Sequence, residues 1–287
     1  TAGSAVIGPI FPPSIPLVIY GVIAGASIGN LFLAGMVPGI ILALALCIYV
    51  CYIANKRNYP SGRKYAGMEF IKMTVSAVPA LLTPIILLMG IYTGIMTATE
   101  AGAVAALYAL LISVFAYRSI TLSEFIQVLK NTVKSTGQIG IMLGAAYVFS
   151  YVIAVENLPS LAGNLILSFA TTKVSFLVFV NILLFILGML LDSAVLQLVL
   201  LPILCPIAQS FGIDMVHFGV VFTLNTMIGL CTPPFGMLLF IVTGISGEKM
   251  NTIIKEVMPM VFVMVLVLIL VTFVPDVIMW LPRLFGR

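Results

Sequence analysis

The sequence predicts an all-α protein that crosses a membrane several times. Of its 287 residues, 62% are hydrophobic and only 8% are charged, whereas roughly 25% of the residues in a soluble domain are charged. Long uninterrupted apolar runs, such as 31–54 and 257–275, match helical membrane spans and not the short alternating strands of a β-barrel. Together these observations exclude a soluble globular enzyme and a disordered chain.

The chain begins with a proline-interrupted apolar segment, 1–27, and continues with an apolar segment over 28–53. The second segment is long enough to cross a bilayer as a helix. It ends in a loop with four basic residues, which are Lys56, Arg57, Arg63 and Lys64. Basic loops are retained on the cytoplasmic side of a membrane, and we therefore expect this loop to be cytoplasmic.

A helical hairpin and an amphipathic helix are predicted next. Segments 76–92 and 95–117 form the hairpin, which returns the chain to the cytoplasmic side. Segment 121–136 has apolar residues on one face, and Thr121 with Glu124 three residues later is a capping box. We therefore predict an interfacial helix on the cytoplasmic surface.

A span over 137–155 then crosses outward, and a short helix follows at about 160–171. Two apolar arms, 174–190 and 195–210, flank the polar tip Leu191-Asp192-Ser193. A pair of short apolar arms around a polar tip predicts a re-entrant hairpin.

The last part of the chain repeats the pattern of the first. Segment 215–247 is apolar but is interrupted by Thr232-Pro233-Pro234-Phe235-Gly236, and a final helix is predicted over 250–275. Trp280, beyond that helix, is a candidate interface anchor.

An internal repeat links the two ends of the sequence. Ile7-Gly8 and Pro12-Pro13 recur as Ile228-Gly229 and Pro233-Pro234, each 221 positions later, and Pro38 recurs as Pro259. Counting crossings from the cytoplasmic loop gives the two copies opposite orientations, although this count puts Arg283 and Arg287 outside. Paired, proline-interrupted helices in inverted repeats are typical of secondary transporters.

The two proline breaks are candidate ion sites. A Pro-Pro pair cannot continue a helix, and the freed carbonyls survive in a membrane where they line a cavity or bind an ion. We predict Na⁺ ligands at six positions in and beside the breaks: the carbonyls of Gly8, Phe11, Gly229 and Thr232, and the side chain of Asp192 with its neighbour Ser193. An intramembrane carboxylate indicates function, but Asp192 is also a good N-cap for arm 195–210, and the two roles are compatible.

A carboxylate substrate is expected beside each cation, since the second half-helix begins there with free N–H groups. The candidate substrate-binding residues are Ser14, Ser27, Asn225 and Pro234. For Asn225, hydrogen bonding between helices is an equally good interpretation. The sequence has no Walker A, HExxH or GxSxG motif, so it offers no support for ATP hydrolysis or enzyme catalysis.

Four long motifs give the chain a family resemblance. The segments IGPIFPPSIPLVIYG at 7–21, GIYTGIMTATEAGAVAALYAL at 90–110, LGMLLDSAVLQLVLLPILCPI at 187–207 and GVVFTLNTMIGLCTPPFGMLLF at 219–240 resemble the large membrane subunit of tripartite ATP-independent periplasmic (TRAP) transporters. The last motif is most similar to members that transport sialic acid. The resemblance covers nearly the whole chain but not the long N-terminal part of the family, and we therefore expect additional upstream sequence.

The resemblance implies a Na⁺-driven importer of carboxylates in the bacterial inner membrane, working by an elevator movement. It implies one Na⁺ site at Gly8 and Phe11 and another at Asp192, Gly229 and Thr232. The implied partners are a periplasmic substrate-binding protein, a small four-helix membrane subunit and the lipid bilayer, with no nucleic acid.

The repeat and the resemblance together divide the chain into four segments. The segments are 1–27, a broken helix that ends the first half of the transport domain; 28–136, scaffold helices with the amphipathic arm; 137–247, the second half of the transport domain; and 248–287, a terminal scaffold helix. The alternatives are a Na⁺-coupled dicarboxylate carrier that needs no binding protein, a channel, and a membrane-embedded enzyme.

Overall fold

A computed structural model describes residues 1–59, 67–157, 166 and 170–285. Every regular element in these ranges is helical. In chain order the elements are α1 (Ala2–Ala5), α2 (Ile15–Ala24), α3 (Ile28–Lys56), α4 (Gly67–Tyr92), α5 (Ala98–Leu111) with a π-helical turn (Ile112–Ala116), α6 (Leu122–Val155), α7 (Lys173–Gly188), α8 (Ser193–Ser210), α9 (Met215–Gly229), α10 (Met237–Ser246), α11 (Met250–Phe273) and α12 (Asp276–Phe285).

Six of the described helices are long and apolar enough to cross a membrane, which confirms a polytopic all-α membrane protein. They are Ile28–Lys56, Gly67–Tyr92, Ala98–Ala116, Leu122–Val155, Ser193–Ser210 and Met250–Phe273. The shorter helices α2, α7, α9 and α10 are also apolar, and they include the predicted hairpin arm and both halves of the second broken helix.

The first compact unit contains residues 1–53 and 146–287, and helix α9 lies at its centre. Every residue of α9 from His217 to Gly229 is buried, as expected of a mainly apolar helix without a polar face. Helices α2, α7, α8 and α11 pack around it. Asp214 caps its first turn, since its Oδ1 accepts hydrogen bonds from Val216 N at 2.8 Å and His217 N at 3.1 Å.

Tyr20 attaches α2 to α9 in this unit. Its ring lies against Gly219, where an added Cβ would be 2.4 Å from a ring carbon. Its hydroxyl donates a hydrogen bond to Met215 O at 2.7 Å. The second half of the first broken helix is therefore packed directly on the first half of the second.

The second compact unit contains residues 54–145. Helix α4 has two internal prolines, Pro79 and Pro84, and tyrosines that follow in the chain supply hydroxyls to its weakened backbone. Tyr108 Oη donates to Pro79 O at 3.0 Å, and Tyr117 Oη donates to Ser76 O at 2.7 Å. Most other side chains of α4 are exposed in the isolated chain, and those after Ser76 are mainly apolar, as lipid-facing side chains are.

Two predicted boundaries differ from the structure. The interfacial helix 121–136 and the span 137–155 form one continuous helix of 34 residues, α6, since Gly137 alone is too weak a breaker to end a helix. The predicted capping box at its start is confirmed: Thr121 N donates to the Glu124 carboxylate at 2.7 Å. The last predicted helix ends at Phe273, and a further helix, α12, contains Trp280, which is half exposed.

Some predicted features lie outside the described residues. They are Arg63 and Lys64 in the basic loop, most of the short helix at about 160–171, and Arg287.

Candidate functional site

The second break, residues 230–236, separates α9 from α10 in the middle of the first unit. Pro233 and Pro234 lack the N–H groups that a helix would direct at the carbonyls four residues earlier, on Gly229 and Leu230. Leu238 N instead donates across the break to Leu230 O at 3.1 Å, and Thr232 N donates to Gly229 O at 2.9 Å. The break is thus an ordered turn that keeps both half-helices attached to each other.

The hairpin tip, residues 189–192, joins α7 to α8. Asp192 is the N-cap of α8, and its Oδ1 accepts a hydrogen bond from Ala194 N at 2.8 Å. The structural role that the sequence allowed for Asp192 is therefore present. The cap uses one of the two carboxylate oxygens, and a second role for the charge stays a prediction.

The tip and the second break are in direct backbone contact. A Cβ added to Gly229 would lie 2.6 Å from the carbonyl carbon of Gly188. Gly236 N donates to Met189 O at 3.2 Å. A pair of glycines and one backbone hydrogen bond therefore hold the hairpin against the interrupted helix.

A buried side-chain contact continues this junction on the α8 side. The hydroxyls of Ser193 and Thr226 are 2.8 Å apart and both residues are buried. Thr232 is also buried, and its hydroxyl donates to Ile228 O at 2.9 Å. Beside the junction is a cavity of about 200 Å³, smaller than the roughly 300–1,000 Å³ of typical small-molecule sites.

The residues that line this cavity come from both sides of the junction. They are Gly188, Met189, Leu190, Leu191, Leu230, Phe235, Met237 and Phe240.

The first break, residues 6–14, is built on the same plan but has different neighbours. Pro12 and Pro13 leave the Gly8 and Pro9 carbonyls without their helical donors. The Ser14 hydroxyl donates to Pro9 O and accepts a hydrogen bond from Leu17 N at 3.2 Å. Ser14 is therefore a buried N-cap of α2.

Helix α3 supports the first break with two glycines. A Cβ on Gly35 would lie 2.8 Å from Ile10 O, and one on Gly39 would lie 3.0 Å from the Phe11 ring. The predicted ligand Phe11 therefore packs on α3, and the predicted ligand Gly8 is exposed.

The remaining predicted substrate residues are spread over several surroundings. Ser27 is exposed at the start of α3, where its hydroxyl is 3.4 Å from Asn30 N. Pro234 is exposed in the second break. Asn225 is fully buried, and its Nδ2 donates to the backbone and side-chain oxygens of Asn181 at 2.9 and 2.7 Å, which is the interhelical bonding expected as its alternative role.

Of the predicted site residues, the structure packs Ser193 against Thr226 in α9 and puts Asp192 in the hairpin tip, which contacts α9 beside Gly229 and bonds to the second break through Met189. Sequence reasoning missed Gly188 and Thr226, which complete this junction. Both had a signal: Gly188 ends the apolar arm just before the tip, and Thr226 lies three residues before Gly229, close to it on a helix.

The chemistry of this junction suits a hard cation, for which backbone carbonyls, hydroxyls and a carboxylate are appropriate ligands. The start of α10 lies nearby, and the positive end of its helix dipole suits an anion, although Gly236 N, Leu238 N and Leu239 N already donate to backbone carbonyls. The junction therefore offers ligands for a cation and a favourable electrostatic field for a carboxylate.

The chain matches a known protein family. Residues 1–277 match the model of the tripartite ATP-independent periplasmic transporter, DctM component. The match covers all the described helices of the first unit up to the first residues of α12.

Curated relatives extend the comparison. The chain is 41% identical, over 285 residues, to the sialic acid TRAP transporter large permease protein of Vibrio cholerae, covering 99% of this chain and 67% of the relative. It is 38% identical to the sialic acid TRAP transporter permease protein of Haemophilus influenzae, covering 99% of this chain and 46% of the relative. It is 35% identical to the C4-dicarboxylate TRAP transporter large permease protein of Pseudomonas aeruginosa, covering 98% and 66%. The chain thus spans about half to two thirds of the length of these relatives.

Proposed function

Because the chain belongs to the DctM-component family of tripartite ATP-independent periplasmic transporters, we propose that it forms part of the large permease of a Na⁺-coupled carboxylate importer. Members of this family are transporter permeases and not enzymes, and the protein is a multi-pass protein of the bacterial inner membrane. The coupling ion, the substrate and the partners of this chain are the proposed elements.

Na⁺ binding is supported above all by the junction between the hairpin tip and the second break. Gly188 and Gly229 touch, so the hairpin that contains Asp192 and Ser193 abuts Gly229. The Gly229 carbonyl lacks its helical donor and accepts a turn bond from Thr232 N at 2.9 Å. A carboxylate within a membrane is costly unless it is paired, and a bound Na⁺ would neutralise it. A second Na⁺ is proposed at the Gly8 and Phe11 carbonyls of the first break.

Sialic acid is the proposed substrate. The two relatives named for sialic acid are 41% and 38% identical to the chain, and the relative named for C4-dicarboxylates is 35% identical. Either substrate carries a carboxylate, which the positive end of the α10 helix dipole favours. Ser14, Ser27, Asn225 and Pro234 remain the proposed substrate residues.

The proposed mechanism is an elevator movement of an inverted-repeat transport domain. Segments 1–27 and 137–247 would form this moving domain, and 28–136 and 248–287 the scaffold. The repeat is supported because equivalent positions are joined across both breaks, Leu230 with Leu238 directly and Pro9 with Leu17 through the Ser14 hydroxyl. The proposed partners are a small four-helix membrane subunit and a periplasmic binding protein, in keeping with a tripartite family.

Charge removal at Asp192 tests Na⁺ coupling. Asn is as good an N-cap as Asp, so Asp192→Asn keeps the cap and removes the charge. In proteoliposomes that contain the complete transporter and its binding protein, we expect at least a tenfold loss of Na⁺-driven sialic acid uptake, about 1.4 kcal/mol or more. Asp214→Asn is the matched control, because Asp214 caps α9 in the same way but is exposed; its uptake should stay within about twofold.

Wild-type Na⁺ dependence in Asp192→Asn would remove Asp192 from the site. Parallel uptake of labelled sialic acid, malate and succinate identifies the substrate, and omission of the binding protein shows whether it is required.

A further inference from the structure

Two buried polar side chains between α8 and α9 have no hydrogen-bond partner within the described part of the chain. They are Gln197, at both its Nε2 and Oε1 atoms, and Thr223, at its Oγ1. Both residues are fully buried. Buried polar groups in folded proteins are nearly always hydrogen-bonded, because an unpaired one keeps its full desolvation cost. Three such atoms in adjacent helices therefore indicate something that pairs with them.

Helix geometry places the two side chains in the same layer. Helices α8 and α9 are joined by the short turn 211–214 and run antiparallel. The Ser193–Thr226 contact at 2.8 Å sets their register. Gln197 lies one turn after Ser193, and Thr223 lies one turn before Thr226, so both lie one turn further from the hairpin tip on the facing sides.

The Ser193–Thr226 pair offers no proton to this layer, because both of its hydroxyl protons are already used. The Thr226 hydroxyl donates to the carbonyls of Phe222 and Thr223, both at 3.1 Å. Its one proton is thus directed at its own helix, and Ser193 must be the donor in the contact between the two hydroxyls.

Thr223 also differs from the other threonines of the broken helix. Thr226, Thr232 and Thr243 each donate to the carbonyl four residues earlier, at 3.1, 2.9 and 2.8 Å. This hydrogen bond is a common one for a Thr hydroxyl within a helix. The Thr223 hydroxyl has no such bond, which leaves it available to a ligand between the helices.

We propose that an internal water binds between Gln197 and Thr223 and bridges α8 to α9. The unpaired atoms include an N–H₂ donor, a carbonyl acceptor and a hydroxyl that can do either. A cation could pair only with the oxygens and would leave Nε2 unsatisfied, whereas water both donates and accepts and typically makes about three hydrogen bonds in a buried site. The bridge would hold the hairpin arm on the broken helix one turn below the junction with Asp192.

Near-isosteric substitutions in the purified transporter complex test the bridge by whether they lower or raise the thermal midpoint. If a water links the two side chains, Gln197→Met and Thr223→Val each leave it with too few partners, and each should lower the thermal midpoint by about 2–4 °C. The double variant removes both the water and its partners, and its midpoint should lie above that of either single variant. If nothing binds there, each single substitution removes an unpaired polar group and should raise the midpoint, which would overturn the proposal.

Two control variants make the same chemical changes elsewhere. Gln209→Met alters an exposed Gln of the same helix, and Thr243→Val removes a hydroxyl that is bonded to its own helix. The midpoint changes of Gln209→Met and Thr243→Val should add in their double variant. If the losses of Gln197→Met and Thr223→Val also add, that result would contradict the bridge.

A Na⁺ titration separates water from an ion. Na⁺ that binds the folded state raises the midpoint, and this shift should be the same in Gln197→Met as in the parent protein. A shift lost in Gln197→Met would assign a cation to this layer and overturn the water. If Na⁺ shifts the midpoint of none of the proteins, the proposed coupling ion loses support. The midpoint changes of Gln197→Met, Thr223→Val and their double variant still decide whether the water bridge exists.

Discussion

The two breaks connect the same pair of backbone positions in two different ways. In the second break, Leu238 N donates directly to Leu230 O at 3.1 Å. The equivalent groups in the first break, 221 positions earlier, are Leu17 N and Pro9 O, and the Ser14 hydroxyl is inserted between them. A break in a membrane helix must satisfy the groups it frees, and one copy does so with backbone alone while the other needs a side chain.

The two breaks differ also in what they touch. A Cβ on Gly229 would collide with the Gly188 backbone at 2.6 Å, whereas a Cβ on the equivalent Gly8 would meet only Ala5 O, at 3.9 Å. The first break is instead supported by glycines of α3. Both copies therefore contain the break, but they differ in the element that lies against it. The second copy contacts the hairpin through Gly229 and Gly188, and the first copy contacts α3 through Gly35 and Gly39.

The largest expected effect comes from adding a methyl group at these two equivalent glycines. Gly229→Ala should separate the hairpin tip from the break, with a loss of about 3 kcal/mol or more of stability and at least tenfold in uptake. Gly8→Ala keeps the backbone carbonyl and has room for the methyl group, so its uptake should stay within about twofold. Equal losses in both variants, measured by proteoliposome uptake and thermal midpoint, would show that the two breaks have equally tight surroundings.

The next effect concerns Gly236, at the end of the second break, and the equivalent position after the first. Gly236 has a φ of +43°, and an added Cβ would lie 2.8 Å from the Leu239 side chain and 2.9 Å from Thr232 O. Gly236→Ala should therefore lower stability by about 2 kcal/mol. Its equivalent, Ile15, is 65% exposed at the start of α2, and Ile15→Ala should change the midpoint by less than about 2 °C. A tolerated Gly236→Ala would mean that the second break can relax without losing its hydrogen bond to Met189.

The sequence was sufficient to predict the features that depend on local chemistry. Paired prolines mark both breaks, and the polar tip Leu191-Asp192-Ser193 marks the hairpin, because proline and burial act at the residue itself. The contact partners Gly188 and Thr226 were not predicted. Their role depends on which helix lies opposite, and a single sequence contains no direct record of that.

The continuous helix α6 was missed for a different reason. Composition changes near residue 136 from amphipathic to uniformly apolar, and this change suggested two elements. Helix propagation depends on backbone breakers and not on polarity, so a chain with only Gly137 at the boundary continues as one helix.

Removal of the inserted hydroxyl tests the first difference between the breaks. Ser14→Ala deprives both Leu17 N and Pro9 O of their partner, and we expect a loss of about 1–2 kcal/mol, or roughly 2–8 °C in thermal midpoint. The equivalent change, Phe235→Ser, places a hydroxyl where the direct bond already exists, and should alter stability by about 0.5 kcal/mol or less beyond the loss of an exposed ring. A neutral Ser14→Ala would show that the first break can close its backbone bond directly, as the second one does.

The smallest expected effect concerns a contact that links the two copies. Cys231, in the second break, donates from its buried thiol to Ala2 O in α1 at 3.1 Å. The equivalent position in the first break is Ile10, whose side chain has no donor. Thiols are weak donors, so Cys231→Ala should cost about 1 kcal/mol or less, and Cys231→Ser, which keeps a donor, should cost less than Cys231→Ala.

The exposed thiol of Cys47 provides the control, since Cys47→Ala should leave the thermal midpoint within about 1 °C of the parent. If Cys231→Ala also leaves the midpoint unchanged, the thiol contact adds nothing to stability, and the Tyr20–Met215 hydrogen bond remains as a polar link between the copies. If Cys231→Ala lowers the midpoint as much as Ser14→Ala does, the second break depends on a side-chain donor after all. The two breaks would then differ only in which position supplies the donor, Ser14 in the first and Cys231 in the second, because each copy would use one side chain to stabilise its interrupted backbone.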